Sequence, residues 1–164
     1  MMRTTLTDSQ RADYFQRSYA AVDGLWFMKI EEDGGFDKAL LIDTRVWEVM
    51  GKIQARLIRS LIPGDGGPAH FRACFEAKLA VEGFEFTTRD AAGGFSAAIT
   101  LCPWLEKIKK AGRGELAGRV GGRICPAEYG AWLREFDAGL SVDIEEKLCE
   151  KCETCAITFK NEGA

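Results

Sequence analysis

Apolar residues recur at helical spacing through the first half of the chain and alternate with polar residues through much of the second half. Thr7 and Gln10 match a capping box, and the apolar positions after them predict a helix from Thr7 to about Glu32. Two faces of this helix are apolar, which predicts that it is deeply buried or lies at a subunit interface. The two sets are Phe15, Tyr19, Val22, Trp26 and Ile30, and Tyr14, Ala21, Leu25 and Met28.

Two further helices are predicted before residue 82. The first covers Asp37 to Leu61, and Asp43 has the character of a new N-cap that could interrupt it. Residues 63–67 are rich in glycine and predict a loop. Pro68 suits the first turn of a helix that continues to about Val81.

The hydrophobic period then changes to two, which predicts strands. Alternation over 84–87 and 95–101, around a turn at Asp90–Gly94, indicates a hairpin. Alternation over 140–145 and 156–160 indicates two more strands. Short helices are predicted to start at Cys102-Pro103 and Cys125-Pro126, with a glycine-rich loop over Gly112–Gly122 between them.

This order of elements predicts the α+β class, with N-terminal helices packed on an antiparallel sheet of about four strands. We expect the strands to form a meander interrupted by helices. We also expect a single domain over 1–164, in which 1–82 is mainly helical. Residues 83–164 would then form the sheet and a cysteine-rich, metal-binding part near the sheet edge.

Composition narrows the function classes. The chain has 164 residues and a formal net charge of −3. The basic residues are scattered rather than gathered in a patch, so we expect no nucleic-acid partner. No apolar run reaches the roughly 18 residues that cross a bilayer, and residues 1–10 lack the apolar stretch of a secretory signal. A cytoplasmic protein without a membrane partner is therefore expected.

The chain contains six cysteines and a single histidine. In a reducing compartment such cysteines are more often metal ligands or catalytic thiols than disulfides. Cys102 and Cys125 each precede a proline, which predicts that both thiols lie at helix N-termini, where the helix dipole lowers a thiol pKa. The C-x2-C-x2-C segment from Cys149 to Cys155 supplies further ligands.

These observations predict a four-cysteine zinc site. Cys102 and Cys125 would supply two ligands, and Cys149 and Cys155, at the ends of the last two strands, would supply the others. Cys152, at the tip of the turn, is the alternative ligand.

Other interpretations of the cysteines stay open at this point. The C-x2-C-x2-C spacing also occurs in iron–sulfur proteins, where a remote cysteine could complete the cluster. A thioredoxin-like C-x-x-C is disfavoured because the residues after Cys155 alternate like a strand. His70 lies one helical turn before Cys74, a spacing compatible with a metal or nucleophile pair, although a partly exposed histidine and a core cysteine are the simpler interpretation.

A pocket for a small hydrophobic ligand is expected between the aromatic helices and the sheet. The candidate lining residues are Tyr19, Asp23, Trp26, Trp47, His70 and Phe86. The first helix, which is apolar on two faces, also predicts a homodimer.

The C-terminal third resembles the 4-vinyl-reductase domain. The resemblance is carried by Cys125, by Leu140–Cys149 and by Cys155–Phe159. It implies an α+β fold shared with vesicle-tethering subunits, zinc bound by Cys102, Cys125, Cys149 and Cys155, and recognition of small hydrophobic molecules. The family turn usually contains Gly-Asp, whereas this chain has Lys151-Cys152-Glu153.

The N-terminal half is similar to uncharacterised prokaryotic cytosolic proteins of the 2-amino-thiazoline-4-carboxylate hydrolase-like group, through Gly24–Phe27 and Cys102–Trp104. Three functions follow as expectations. The first is a zinc-stabilised small-molecule-binding or sensory module. The second is a hydrolase of a small cyclic amide or thiazoline, using a three-cysteine zinc with a bound water or a Cys74 or Cys152 nucleophile. The third is an iron–sulfur redox protein.

Overall fold

The computed structural model describes residues 5–136 and 138–161. Within these residues the predicted α+β class is confirmed, because helices combine with a four-stranded antiparallel sheet. The helices are α1 (Asp8–Gly34), α2 (Phe36–Leu61), α3 (Gly67–Glu82), α4 (Pro103–Lys110) and α5 (Ala117–Phe136). The strands are β1 (Glu85–Ala91), β2 (Gly94–Leu101), β3 (Leu140–Glu146) and β4 (Cys155–Asn161). The chain divides into two compact units, Met1–Asp43 and Thr44–Ala164, and α2 crosses the boundary.

In the first unit, α1 starts at the predicted capping box. The Thr7 hydroxyl accepts a hydrogen bond from the Gln10 backbone N–H at 3.2 Å, and the Gln10 side chain accepts one from the Thr7 N–H at 2.9 Å. The helix is followed by Gly35, whose φ of 83° is an angle that glycine adopts at little energetic cost. The rings of Phe27 and Phe36 then meet edge-on, with centroids 5.6 Å apart.

The apolar side chains of α1 are largely exposed. No residue of the helix is buried, and Phe15 and Trp26 are 68% and 65% exposed. The prediction of a deeply buried helix is therefore wrong for the single chain. The alternative, a subunit interface, stays a prediction.

In the second unit, α2 continues without interruption, so the predicted break at Asp43 is wrong. Trp47 and Ala55 on this helix are buried. Gly51 lets α2 approach α5 closely, since a Cβ added there would lie 3.0 Å from the carbonyl oxygen of Glu128.

The sheet has the strand order β1-β2-β4-β3, with all neighbours antiparallel. The predicted meander is wrong, because β4 inserts between β2 and β3. In the register of β2 and β4, Phe95 pairs with Phe159 and Ile99 pairs with Cys155. The start of β4 therefore lies beside the end of β2.

Aromatic side chains hold α3 and α5 against one face of the sheet. The ring of Phe159 on β4 lies 5.0 Å from both Phe71 and Phe75 of α3 and 4.8 Å from Phe95 of β2, between centroids. Trp132 of α5 is fully buried and contacts Phe75 edge-on. Aromatic rings bury large areas, so this cluster supplies much of the apolar stabilisation of the unit.

The largest difference from the sequence predictions concerns α5. Cys125-Pro126 does not start a helix, because Pro126 is the tenth residue of α5. It cannot donate a hydrogen bond to the carbonyl of Gly122, a loss that tertiary packing must offset. Most of the predicted glycine-rich loop is likewise the first half of α5, preceded by a short 3-10 turn over Gly114–Leu116. In the described part of the chain, no helix has the length and apolar character needed to span a membrane.

Candidate metal centre

Four cysteines are brought together at one end of the sheet. Cys102 follows β2 and is the residue before α4, and Cys155 opens β4. Cys149 lies in a short 3-10 turn after β3, and Cys125 lies in the middle of α5. We refer to Cys102, Cys125, Cys149 and Cys155 as the cysteine cluster.

Backbone contacts place members of the cysteine cluster near one another: Cys155 pairs with Ile99, three residues before Cys102, and Gly121, one helical turn before Cys125, lies against Cys149 Sγ. Each thiolate charge would raise the pKa of the others, and the interaction is present for every pair of the four thiols. Cys152 interacts in this way with Cys155. The four thiols therefore lie in one region of the second unit, and their use as metal ligands stays a prediction.

Burial is the largest influence on the pKa values of these thiols. It raises the pKa of Cys125 far above its ordinary value and that of Cys155 to about 11, and neighbouring negative charges add to both effects. Burial also raises the pKa of Cys149. Without a cation the cluster therefore holds neutral thiols at neutral pH.

The predicted effect of a helix start on the thiol pKa is wrong for both Cys102 and Cys125. Cys102 precedes α4, and the backbone amides of Trp104 and Leu105 do lower its pKa, but burial raises it more. The Cys102 side chain makes no capping hydrogen bond. Cys125 lies inside α5, away from the free N–H groups of the helix start.

The connection between β3 and β4 is shaped around Cys155. The Leu148 backbone N–H donates a hydrogen bond to Cys155 Sγ at 3.2 Å. Lys151, with φ of 70°, turns the chain back, and the Cys152 N–H donates to the Lys147 carbonyl at 3.3 Å. Backbone N–H groups directed at sulfur stabilise the thiolate form, which is the form that binds metal.

Glycines on α5 let this connection approach the helix. A Cβ added to Gly121 would lie 2.7 Å from Cys149 Sγ, and one added to Gly118 would lie 3.4 Å from the Cys149 carbonyl oxygen. Gly122, on another side of the helix, has nothing within 4 Å of the same position. The glycine-rich sequence predicted a loop, and its actual role in close packing was missed.

A buried charged network adjoins the cysteine cluster. Lys78 Nζ lies 2.8 Å from Glu128 Oε1 and 3.2 Å from Glu82 Oε2, and the lysine side chain is 2% exposed. Burial lowers the pKa of Lys78, but Glu128 and Glu82 raise it more, so the ammonium stays charged. Its charge also lowers the pKa of Cys102.

Sequence reasoning missed this network because Lys78 and Glu82 look like a solvated helix pair. Their spacing of four residues is typical of exposed ion pairs. The Glu128 Oε1 atom, although close to the ammonium, lacks a hydrogen bond of good geometry within the described residues.

His70 and Cys74 do not form a reactive pair. His70 is 7% exposed, so the expectation of a partly exposed side chain is wrong. Its Nδ1 accepts a hydrogen bond from the Gly66 N–H at 3.1 Å, and its Nε2 lies 2.8 Å from the Ile62 carbonyl, which assigns the proton to Nε2. Cys74 is fully buried in the aromatic core, as the simpler interpretation predicted.

The candidate pocket residues are spread over both units. Tyr19, Asp23 and Trp26 belong to the first unit, and Trp47, His70 and Phe86 belong to the second. In the second unit, Trp47 packs edge-on against Trp104 with centroids 5.3 Å apart, and His70 packs against Phe136. The ligand pocket stays a prediction.

In the described residues, no group of three or more His, Cys, Asp or Glu side chains is arranged as a metal site. All six cysteines are free thiols rather than disulfides.

Comparison with known proteins gives one match. The model of a family of unknown function, DUF6125, matches residues 10–96, which is more than half of the chain. The chain belongs to the DUF6125 family. The match covers α1, α2, α3 and the hairpin up to Ser96, so the cysteine cluster of this DUF6125 member lies beyond the matched residues. No curated protein and no solved structure matches the chain.

Proposed function

We propose that this DUF6125 member is a cytosolic zinc-binding protein in which the cysteine cluster binds one structural Zn²⁺. The observation that carries the proposal is the placement of the cysteine cluster at one end of the sheet, where Ile99 of β2 pairs with Cys155 and Gly121 of α5 lies against Cys149 Sγ. These residues come from four separate segments of the fold, so chance pairing of neighbours along the chain does not explain the grouping.

The chemistry of the donor set fits zinc. Four cysteine sulfurs are a common ligand set of structural zinc sites. Neutral, buried thiols gain little from lying near one another, whereas a dication would favour their ionised forms and release their protons. The Leu148 N–H that donates to Cys155 Sγ, and the amides of Trp104 and Leu105 near Cys102, would support the ionised sulfurs.

When bound, the zinc would act as a cross-link and would supply no open coordination position. Cys102 would attach the start of α4, Cys125 would attach α5, and Cys149 and Cys155 would attach the two ends of the β3–β4 connection. A cytosolic location agrees with this use of cysteine, because reduced thiols remain available there.

Metal analysis of the purified chain tests the proposal. We expect one zinc per chain and no visible absorption band of an iron–sulfur cluster. Cys125→Ser should lose the zinc, and Cys152→Ser, the matched control, should retain it. A visible iron–sulfur spectrum, a metal-free chain after anaerobic purification with added zinc, or loss of zinc from the Cys152→Ser variant would each contradict the proposal.

A second measurement does not depend on whether the Cys125→Ser variant folds. Binding of a metal to the folded state alone raises stability by mass action. We therefore expect a chelator to lower the melting temperature of the unmodified chain and added zinc to restore it. An unchanged melting temperature would contradict the structural role.

A further inference from the structure

The only buried lysine or arginine in the described part of the chain is Lys78. Its Nζ atom lies 2.8 Å from Glu128 Oε1 and 5.6 Å from the centroid of the Tyr129 ring, both on α5. The centroid of the Phe84 ring is 5.4 Å from the same atom. Because the face of an aromatic ring attracts a cation, the rings and the carboxylate together favour a positive charge at this position.

The two contacts of Lys78 on α5 lie one helical turn after Cys125. Residues three and four positions apart occupy the same side of a helix, so Glu128 and Tyr129 flank the direction in which the Cys125 side chain leaves the helix axis. Helical side chains also lean toward the N-terminus, which brings both of them toward the turn of Cys125. An ammonium that contacts both residues therefore lies on the side of α5 that carries this thiol.

The second carboxylate that pairs with Lys78 connects the ammonium to the helix that begins after Cys102. Trp104, in the first turn of α4, donates a hydrogen bond from Nε1 to Glu82 Oε2 at 3.5 Å. The same oxygen lies 3.2 Å from Lys78 Nζ. The buried charged network therefore contacts both helices, α4 and α5, that position a thiol of the cysteine cluster.

Zinc binding would change the charge of the cysteine cluster. Four neutral thiols carry no charge, whereas Zn²⁺ with four thiolates is a dianion. A nearby buried cation therefore favours the zinc-bound state, and a nearby buried anion opposes it. The same signs act on the metal-free cluster: burial is the largest influence on the pKa of Cys102, the charge of Lys78 lowers that pKa, and the charge of Glu128 raises it.

We propose that the Lys78 ammonium is the counter-charge of the zinc-bound cysteine cluster, and that the Glu128 carboxylate beside it limits the affinity for zinc. The inference rests on the proposed function, because it concerns the zinc affinity of the same cluster. Lys78 is not a ligand in this arrangement; it stabilises the thiolates from outside the coordination sphere. The two members of one buried ion pair would then act on zinc affinity in opposite directions.

Single substitutions in the ion pair test this opposition of signs. Zinc affinity is measured by competition with a chromogenic chelator. We expect Lys78→Met to weaken zinc binding at least ten-fold, because the dianion loses its counter-charge. Glu128→Gln, which keeps an oxygen acceptor for the ammonium, should tighten zinc binding several-fold. If the pair had a purely structural role, both substitutions would weaken zinc binding or leave it unchanged, and either result would overturn the proposal.

An exposed ion pair provides the matched controls. Lys109 and Glu106 of α4 lie 3.0 Å apart, and both side chains are more than half exposed. Lys109→Met and Glu106→Gln make the same chemical changes where water screens the charges. Each should leave the zinc affinity within about three-fold of that of the unmodified chain. Control variants that change zinc affinity as much as the buried pair would overturn the specific role of Lys78 and Glu128.

A double variant separates the charge effect from any loss of stability in Lys78→Met. Lys78→Met combined with Glu128→Gln removes one positive and one negative charge, so the net charge beside the cysteine cluster is unchanged. We expect its zinc affinity to exceed that of Lys78→Met and to lie within about three-fold of that of the unmodified chain. If Lys78→Met does not fold, Glu128→Gln still decides, because the absence of tighter zinc binding in that variant overturns the proposal.

The zinc content of the unmodified chain separates this inference from the proposed function. One zinc per chain, together with equal zinc affinities in the single variants, would overturn the role of the ion pair and leave the zinc site in place. A chain that binds no zinc would contradict the proposed function and, with it, this inference.

Discussion

Gly121 of α5 lies against the sulfur of Cys149, so that a Cβ added to the glycine would be 2.7 Å from that atom. A contact this short forces a displacement, and the Cys149 side chain can rotate away at little cost. We therefore expect Gly121→Ala to keep the stability of the metal-free chain near its original value. The same substitution should weaken zinc binding at least ten-fold, measured by competition with a chromogenic chelator.

The adjacent glycine provides the control for this substitution. Gly122 has open space at the Cβ position, and alanine is favoured over glycine in a helix by about 1 kcal/mol. Gly122→Ala should leave zinc affinity unchanged and raise the free energy of unfolding slightly. Equal zinc affinities for the two variants would show that Cys149 does not need its observed position.

The buried ion pair of Lys78 with Glu128 should be costly to break. Lys78→Met leaves Glu128 without its counter-charge in a buried setting, a situation that costs about 3–5 kcal/mol. Urea denaturation measures this loss. Lys109→Met is the matched control, because Lys109 pairs with Glu106 in an exposed position and such pairs contribute about 0–1 kcal/mol.

Neutralising the partner carboxylate should restore part of that stability. The double variant Lys78→Met, Glu128→Gln removes the more deeply buried of the two carboxylates that pair with Lys78, so it should be more stable than Lys78→Met alone. If the double variant is as unstable as the single one, the charge of Glu128 is not the source of the penalty.

His70 is expected to stabilise a loop. Its ring joins the Ile62 carbonyl to the Gly66 N–H, so His70→Ala leaves both groups without this partner and should cost about 1–3 kcal/mol. Hydrogen exchange should accelerate over residues 62–66, and the zinc content should not change. Loss of zinc from this variant would show that the histidine contributes to the metal centre.

The Glu76 carboxyl group should make the free energy of unfolding depend on pH under acidic conditions. Burial raises its pKa, but the Thr88 hydroxyl and the Arg72 guanidinium lower it more, so the folded-state pKa lies below 4.5. The stability from this group is therefore complete above pH 4.5 and is lost as the pH falls through the folded-state pKa.

A Glu76→Gln variant separates this contribution from the other carboxyl groups. Its deficit in unfolding free energy, relative to the unmodified chain, should be constant above about pH 5 and should shrink below about pH 4. A deficit that does not change with pH would mean that the carboxylate charge is unimportant.

Local patterns predicted much of this fold. The capping box of Thr7 and Gln10 and the hairpin of β1 and β2 depend on neighbouring residues, and both are confirmed. The use of Cys102, Cys125, Cys149 and Cys155 as metal ligands stays a prediction, and one of the reasons for it was wrong. Cys125 reaches the cluster from within α5, and Pro126 is accommodated inside the helix.

The remaining features depend on contacts that sequence spacing does not reveal. The position of β4 between β2 and β3 is fixed by pairing partners such as Phe95 and Phe159, which lie far apart along the chain. The burial of Lys78 depends on Glu128, which lies 50 residues later in the sequence. Propensity and periodicity describe one segment at a time and so could not identify either relationship.

The central position of β4 has a consequence for the order of folding. β2 and β3 do not pair with each other. The hairpin of β1 and β2 is therefore joined to β3 only through β4. Such long-range closure slows folding relative to local pairing. Because β4 begins with Cys155 and pairs with β2, whose end precedes Cys102, closure of the sheet brings two thiols from distant parts of the sequence to the same end of the sheet.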